Sequence, residues 1–358
     1  MPFVSQLEPD ALVGHFLRHP PQGFTAGHVV DGVPAFIAPF DLLTTADDTL
    51  RARVSRLPGY RRWQRLLRPR TRFVGTTVSE YALLPSDADP LALADALVRA
   101  HATECPFLIV KDIPERSPLL DEAGNAWCDA FAAACTEQGF VLVEGQALAW
   151  VPIDFDDAEA YLARLSKGAR KDIRRKLRVR DRLEVEAVAT GDPRFHDESE
   201  IDAFYRLHAA VYEQSTIHFD RLTREFFRAV LQDAQGSGIV FVYRAGGRMI
   251  GWNLCYRHKG ALVDKYVGFA YPEARQFNLY VVSWMHNLAY AREQGLAHYI
   301  AGWTDPEVKA HLGARFTFTR HAVRPRSRLL RVALRRLARH FESDRQWFEE
   351  RQHASDRS

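Results

Sequence analysis

Asp264, Tyr266 and His258 are the residues of this chain whose types and spacing suit proton transfer. Asp264 and Tyr266 stand two apart in the β-rich run Ala261–Tyr271, which predicts that they share a strand face. His258 ends the preceding run, so the three are expected to converge at the mouth of that strand pair. A carboxylate inside an apolar strand costs free energy unless it is paired, and Lys265, expected on the opposite face, is not its partner. Asp264 is therefore read either as a base or anchor for an amine, or as half of an ion pair with an arginine. Tyr266 and Tyr280 are read as proton donors or as amphipathic core tyrosines. Arg275, Gln276 and Asn278 fall where a helix begins, and their side chains together with the helix terminus suit a phosphate.

The elements that must position these residues are legible around them. Ile239–Arg244 and Met249–Tyr256 are β-rich runs joined by Ala245-Gly246-Gly247, a turn able to take the positive φ that a tight hairpin needs. Ala261–Tyr271 makes a third strand. Phe277, Tyr280, Val281, Trp284, Met285, Leu288 and Ala291 recur at three- and four-residue spacing, which predicts a helix ended by Gly295. Leu296–Ala301 is a strand, followed by a short helix for which Thr304 or Asp305 is the expected cap and Glu307 a first-turn acid.

Hairpin, strand, crossover helix, strand, with the residues QFNLYVVSWMHNLAYAREQGLAHYIAGWT and then VKAHLG, resembles the GNAT superfamily of N-acyltransferases in its Fem-type branch. That branch carries two GNAT-like lobes and includes bacterial peptidoglycan aminoacyltransferases. The resemblance is at the level of pattern, and it covers 157–324 better than the first half. It implies transfer of an acyl or aminoacyl group from an acyl-CoA or aminoacyl-tRNA donor to an amine acceptor, with a cell-envelope precursor as one such acceptor. In GNAT folds the donor lies where two neighbouring strands splay, and its pyrophosphate meets the start of the next helix. By resemblance Arg275, Gln276 and Asn278 hold the donor, and Lys309, in the short helix after Gly302, meets an anionic group. The chain departs from the pattern in two places: the stretch 270–278 has no glycine pair to wrap a pyrophosphate, and Val308 stands where relatives carry phenylalanine.

From Arg164 to Arg182, ten of nineteen residues are Lys or Arg, opposed only by Asp172 and Asp181. Tyr161, Leu162, Leu165, Ala169, Ile173 and Leu177 keep an apolar stripe, so 156–182 is predicted as one helix packing by one face. Within it LSKGARKDIRRKLR matches a basic segment found at this point in Fem-type proteins, with Asp172 as a departure. Lys167, Arg170, Lys171, Arg174, Arg175 and Arg178 are its candidate anion-binding residues. Three readings stand for them: tRNA phosphates, the phosphates of a coenzyme A thioester or lipid-linked substrate, or solvent.

The first half repeats the order of elements. Phe24–Val30 and Val33–Phe40 form a hairpin about Asp31-Gly32; Phe73–Leu84, 106–111 and 140–151 read as strands, and 90–101 and 123–137 as helices. Arg51–Arg72, with nine arginines, no acid, and Tyr60 and Trp63 among them, reads as a solvated helical insertion or a nucleic-acid contact. The tail adds eleven arginines against five acids from Arg320, with an amphipathic helix over 329–338 that suits either an anionic leaflet or its own domain.

Composition bounds the rest. The 358 residues are 47% hydrophobic and 26% charged, enough for two domains or one double-lobed unit; the resemblance implies an α/β (α+β) fold of two GNAT-like lobes, each a mixed, mainly antiparallel sheet flanked by helices. Expected boundaries are 1–156, 157–182 for the basic helix, 183–324, and 325–358 for the tail. Residues 1–150 carry 13 basic against 18 acidic residues and the remainder 35 against 27, so anionic partners are expected at the second half. The start lacks a signal-peptide pattern and no apolar run is long enough to span a bilayer, which predicts a cytoplasmic protein. Cys105, Cys128, Cys135 and Cys255 form no CxxC pair and read as buried thiols. No HExxH, Walker-type, GxGxxG or GxSxG motif is present, so no metal is expected and hydrolase or dinucleotide chemistry is disfavoured. A non-catalytic protein that binds tRNA, other nucleic acid or anionic lipid through its arginines is the remaining alternative.

Overall fold

In the computed structural model, which describes residues 3–43, 48–215, 218–338, 345 and 347–349, the β-rich runs become eleven strands. In chain order these are β1 (Thr25–His28), β2 (Pro34–Pro39), β3 (Arg70–Val74), β4 (Phe107–Glu115), β5 (Val141–Pro152), β6 (Glu184–Ala189), β7 (Gly238–Ala245), β8 (Arg248–His258), β9 (Ala261–Phe269), β10 (His298–Gly302) and β11 (Arg315–Pro325). They divide between two compact units that are discontinuous in sequence. Unit 1 comprises 1–6, 23–147 and 317–358, and unit 2 comprises 7–22 and 148–316. The observed divisions thus fall at 6/7, 22/23, 147/148 and 316/317, with the basic segment inside unit 2.

The two units repeat one topology. In unit 1, β1, β2 and β3 pair antiparallel in succession, β4 joins β3 in parallel, and β11 lies antiparallel to β4. In unit 2, β7, β8 and β9 pair antiparallel, β10 joins β9 in parallel, and β5 lies antiparallel to β10. Each parallel step is bridged by a crossover helix, Pro90–His101 in unit 1 and Leu279–Glu293 in unit 2. The duplication has one twist: each unit ends with a strand that the chain supplies after traversing the other.

In unit 2 the central strand β8 is buried from Ile250 to Tyr256, because helices cover both its faces. On one face Trp252 donates its indole N–H to the Phe204 carbonyl (3.0 Å) of the Glu198–Gln214 helix. On the other lies the Leu279–Glu293 helix, apolar nearly all round, as a helix packed on more than one side must be. In unit 1 a second core gathers Leu93, Leu97, Val110, Phe131 and Phe140 between its sheet and the 90–101 and 122–137 helices. All four cysteines are buried thiols. No described helix is long and apolar enough to cross a membrane.

Three local expectations are corrected, and one is met in part. The strand expected over Phe73–Leu84 stops at Val74, because Gly75 takes φ 114° and the Thr76 hydroxyl then accepts from the Val78 and Ser79 N–H groups, turning the chain out of the ladder. The helix expected over 156–182 is two, Ala158–Ala163 and Lys167–Leu177: Ser166 caps the second by accepting from the Ala169 N–H (3.2 Å), and an N-cap takes non-helical backbone. The Pro306–His311 helix has no side-chain cap, since Asp305 sits in the left-handed region at φ 56°. The tail helix forms over Arg328–Leu337 but buries none of its residues.

Two predictions follow from this packing. A Cβ on Gly268 would land inside the rigid, fully buried Trp252 indole, whereas one on Gly27 meets nothing. Gly268→Ala should lower unfolding free energy by about 1–3 kcal/mol and Gly27→Ala by under about 0.5, read from urea midpoints at unchanged slope; equal midpoints would refute the packing. His208 and His286 are both pushed down to about 4, chiefly by burial, from an ordinary value of 6.5. The unfolded chain therefore binds protons first, so this stability is present above pH 6.5 and is lost as pH falls toward 4. Replacing His208 by Gln should flatten urea midpoints measured across that window.

Candidate active site at the fork of β9 and β10

β9 and β10 run side by side for three residue pairs, His298 with Ala261, Tyr299 with Leu262, and Ile300 with Val263, and then part. From Asp264 onward β9 has strand partners only on its β8 side. At the same place β9 bulges: Cys255 of β8 lies opposite Asp264 and its neighbour Leu254 opposite Tyr266, leaving Lys265 as the extra residue. A bulge bends its strand and strengthens the local twist, which turns β9 away from β10.

The bulge also overturns the expected convergence of Asp264 and Tyr266. Neighbouring residues of β8 face opposite ways, so the residues opposite them do too. Tyr266 packs edge-on against Phe226 (5.7 Å) and Phe227 (5.4 Å) on the side of the 198–214 and 224–231 helices. Asp264 faces the 279–293 helix, and Lys265 reaches the buried Glu8 carboxylate (3.6 Å). His258 is separated from both. It sits at the closed end of the strand pair, opposite Ala261, where burial and then the charge of Lys259 push its imidazole down.

Asp264 is instead held by residues that spacing did not single out. The Asn253 Nδ2 donates to Oδ1 at 2.6 Å, the Tyr299 hydroxyl to Oδ2 at 2.7 Å, and the Asn287 Nδ2 lies 3.2 Å from Oδ2. Asn287 also donates to the Asn253 Oδ1 (2.7 Å), so the amides orient each other. Both asparagines are fully buried and Tyr299 nearly so. Burial, and then the charge of Asp264, push the Tyr299 phenol and the Cys255 thiol well above their ordinary ranges. Tyr280, the second residue of the helix, is pushed up by burial, then by Asp305 and Asp264, and stays a neutral O–H donor. The available signal was an amide within each of two apolar runs, MIGWNLCY and VVSWMHNLA.

The candidate donor residues surround the other side of the loop. Arg275 is exposed in the short Glu273–Gln276 helix, lies over the Tyr271 ring (5.5 Å) and donates to the Gln214 amide oxygen (2.9 Å). Gln276 beside it is exposed. Asn278 takes φ 49° at the N-cap of the 279–293 helix, and its amide reaches the Lys176 carbonyl (3.4 Å) at the end of the basic helix. Lys309 is 4% exposed and donates to the Ala301 carbonyl (2.7 Å), on β10 just past the point where the strands part. On the basic helix, Arg174 pairs with Glu159 and Arg175 with Asp172 (2.6 Å), while Lys167, Lys171 and Arg178 are exposed and Arg170 is half-buried. Among the described residues no group of His, Cys, Asp and Glu has the arrangement to hold a metal ion.

Residues 167–310, which contain this fork, match the family model described as an acetyltransferase (GNAT) domain. A comparison with curated proteins finds no match. Among solved structures the chain is similar to the C-terminal domain of a putative lysylphosphatidylglycerol synthetase from Agrobacterium fabrum, at 13% identity and TM-score 0.52 over 91% of this chain and 95% of that one. It is also similar to L-PGS from Bacillus licheniformis, at 12% identity and TM-score 0.51 over 93% and 98%. At such identities the likeness is one of fold. Residues 167–310 of the chain thus match a GNAT acetyltransferase domain, and the chain as a whole shares its fold with those two structures.

Proposed function

We propose that the fork of unit 2 is the site of an N-acyltransferase, moving an acyl or aminoacyl group from a thioester or ester donor to an amine. The observation that carries this reading is the parting of β9 from β10 at the residue where a polar network holds a carboxylate. The acyl carbonyl lies along the β9 edge that β10 leaves, where backbone N–H groups are oxyanion donors. Asp264 orients the acceptor amine and takes its proton as nitrogen attacks the carbonyl carbon. The bond from that carbon to sulfur or oxygen breaks, and the Tyr280 O–H supplies the proton to the leaving group. Tyr266 has no part, because it lies on the other face of β9.

An acyl-CoA fits this arrangement through side chains more than through backbone. The glycine-free stretch 270–278 cannot wrap a pyrophosphate, but exposed Arg275 and Gln276, the left-handed Asn278 and the start of a 15-residue helix offer donors to phosphate. The cations of Lys167, Arg170, Lys171 and Arg178 extend the positive surface on which a larger anionic donor such as aminoacyl-tRNA rests. Lysylphosphatidylglycerol in the names of the similar structures suggests an amine-bearing or lipid-linked reactant, and peptidoglycan precursors are the other acceptor class that the Fem-type resemblance implies.

Calorimetric titration with CoA, acetyl-CoA, a long-chain acyl-CoA and, separately, aminoacyl-tRNA tests the donor. Arg275→Ala should weaken the bound thioester about tenfold, or 1.4 kcal/mol. No thioester binding, with salt-sensitive tRNA binding instead, would exclude the CoA reading. With donor and acceptor in hand, Asp264→Asn should cut kcat/KM by about 10²–10⁴ and Tyr280→Phe should lower kcat, while Tyr266→Phe leaves both within about threefold. Since the Tyr280 pKa is raised, its proton is present throughout the neutral and mildly alkaline range, so the wild-type rate should show no alkaline fall there. Full activity in Asp264→Asn would refute the assignment.

A further inference from the structure

Unit 1 carries a surface that the acyl-transfer reading leaves unused. Thr71 of β3 pairs with Phe107 of β4, and Phe107 with Pro325 of β11, so β3 begins, β4 begins and β11 ends at one edge of the sheet. Two arginine-rich segments meet that edge. Residues 51–70 run into β3 with eight arginines and no acid, and 326–338 leave β11 with five arginines and no acid.

Both segments also expose aliphatic side chains. Of the eight large hydrophobic residues exposed among those described, six belong to them: Leu57, Leu66, Leu329, Leu330, Val332 and Leu337, with Leu329 82% and Leu66 77% exposed. A surface helix ordinarily buries its apolar stripe on its own protein, yet the Arg328–Leu337 helix buries no residue fully: Arg331 and Leu334 are half-buried, and Leu329, Leu330, Val332 and Leu337 stay exposed. A partner that covers leucines and neutralises guanidinium groups at once is an anionic lipid surface, where phosphates meet the arginines and the leucines enter the acyl-chain boundary. A nucleic acid would satisfy the arginines and leave the leucines in water. The nearby rings are also engaged already: Tyr60 and Trp63 stack edge-on (5.3 Å), and the Trp63 indole donates to the Pro58 carbonyl (3.0 Å).

We propose that this edge of unit 1 docks on an anionic lipid bilayer through the 51–70 segment and the 328–337 helix. The test is flotation of the full chain with vesicles of phosphatidylcholine, alone or mixed with phosphatidylglycerol. Binding should require the anionic lipid, weaken with salt, and fall about tenfold in Leu329→Glu/Leu330→Glu. Both positions are exposed, so that variant should keep its circular dichroism and melting temperature, and Leu91→Glu, exposed elsewhere on unit 1, should bind as the parent does. Failure to float with anionic vesicles, or flotation unchanged in the double variant, overturns the proposal. Retention of tRNA or duplex DNA without vesicle binding would assign the arginines to nucleic acid. A concentration-dependent dimer, lost in the double variant and accompanied by no vesicle binding, would assign the face to a second copy.

Discussion

One extra residue in β9 decides which side chains of unit 2 meet. Lys265 is accommodated opposite no residue of β8, and everything on either side of it changes face. Before it, Asp264 turns to Asn253, Asn287 and Tyr299; after it, Tyr266 turns to Phe226 and Phe227. Lys265 itself reaches back to Glu8, tying the 7–22 segment to the sheet. The bend of a bulge accounts for the fork as well, because parallel pairing with β10 ends at Val263, immediately before it.

Much of the fold was legible because its signals are local. The Gly246-Gly247 turn, the three- and four-residue spacing from Phe277 and the stop at Gly295 each depend on residues within a turn of one another, and each element formed. The GNAT resemblance rested on the order of such elements and holds over 167–310. The site was less legible because strict alternation assumes an unbroken ladder, and one inserted residue reverses every later side chain. Nothing in Asp264-Lys265-Tyr266 marks the bulge, and the Glu8 carboxylate that Lys265 reaches lies more than 250 residues earlier in the sequence. Asn253 and Asn287 were hidden for the same reason, being 34 residues apart in sequence and 2.7 Å apart through their amides. The basic segment shows the opposite error, in which a strong apolar stripe masked Ser166, whose hydroxyl starts a new helix.

How Asp264 is held bears on what it is fit to do. Asn253, Asn287 and Tyr299 are neutral donors that satisfy carboxylate lone pairs and fix its direction. Tyr299 and Cys255 are pushed up by burial and then by Asp264, and Tyr280 by burial, then Asp305, then Asp264. On the proposed reading this carboxylate orients the acceptor amine and takes its proton as nitrogen attacks the carbonyl carbon. The anionic reactant needs the reverse environment, and unit 2 supplies it at Arg275 and along the 167–177 helix, whose carbonyl at Lys176 is joined to Asn278. On the proposed reading this separation serves both reactants, because a single uniform field would repel either an anionic donor or an acceptor that arrives protonated.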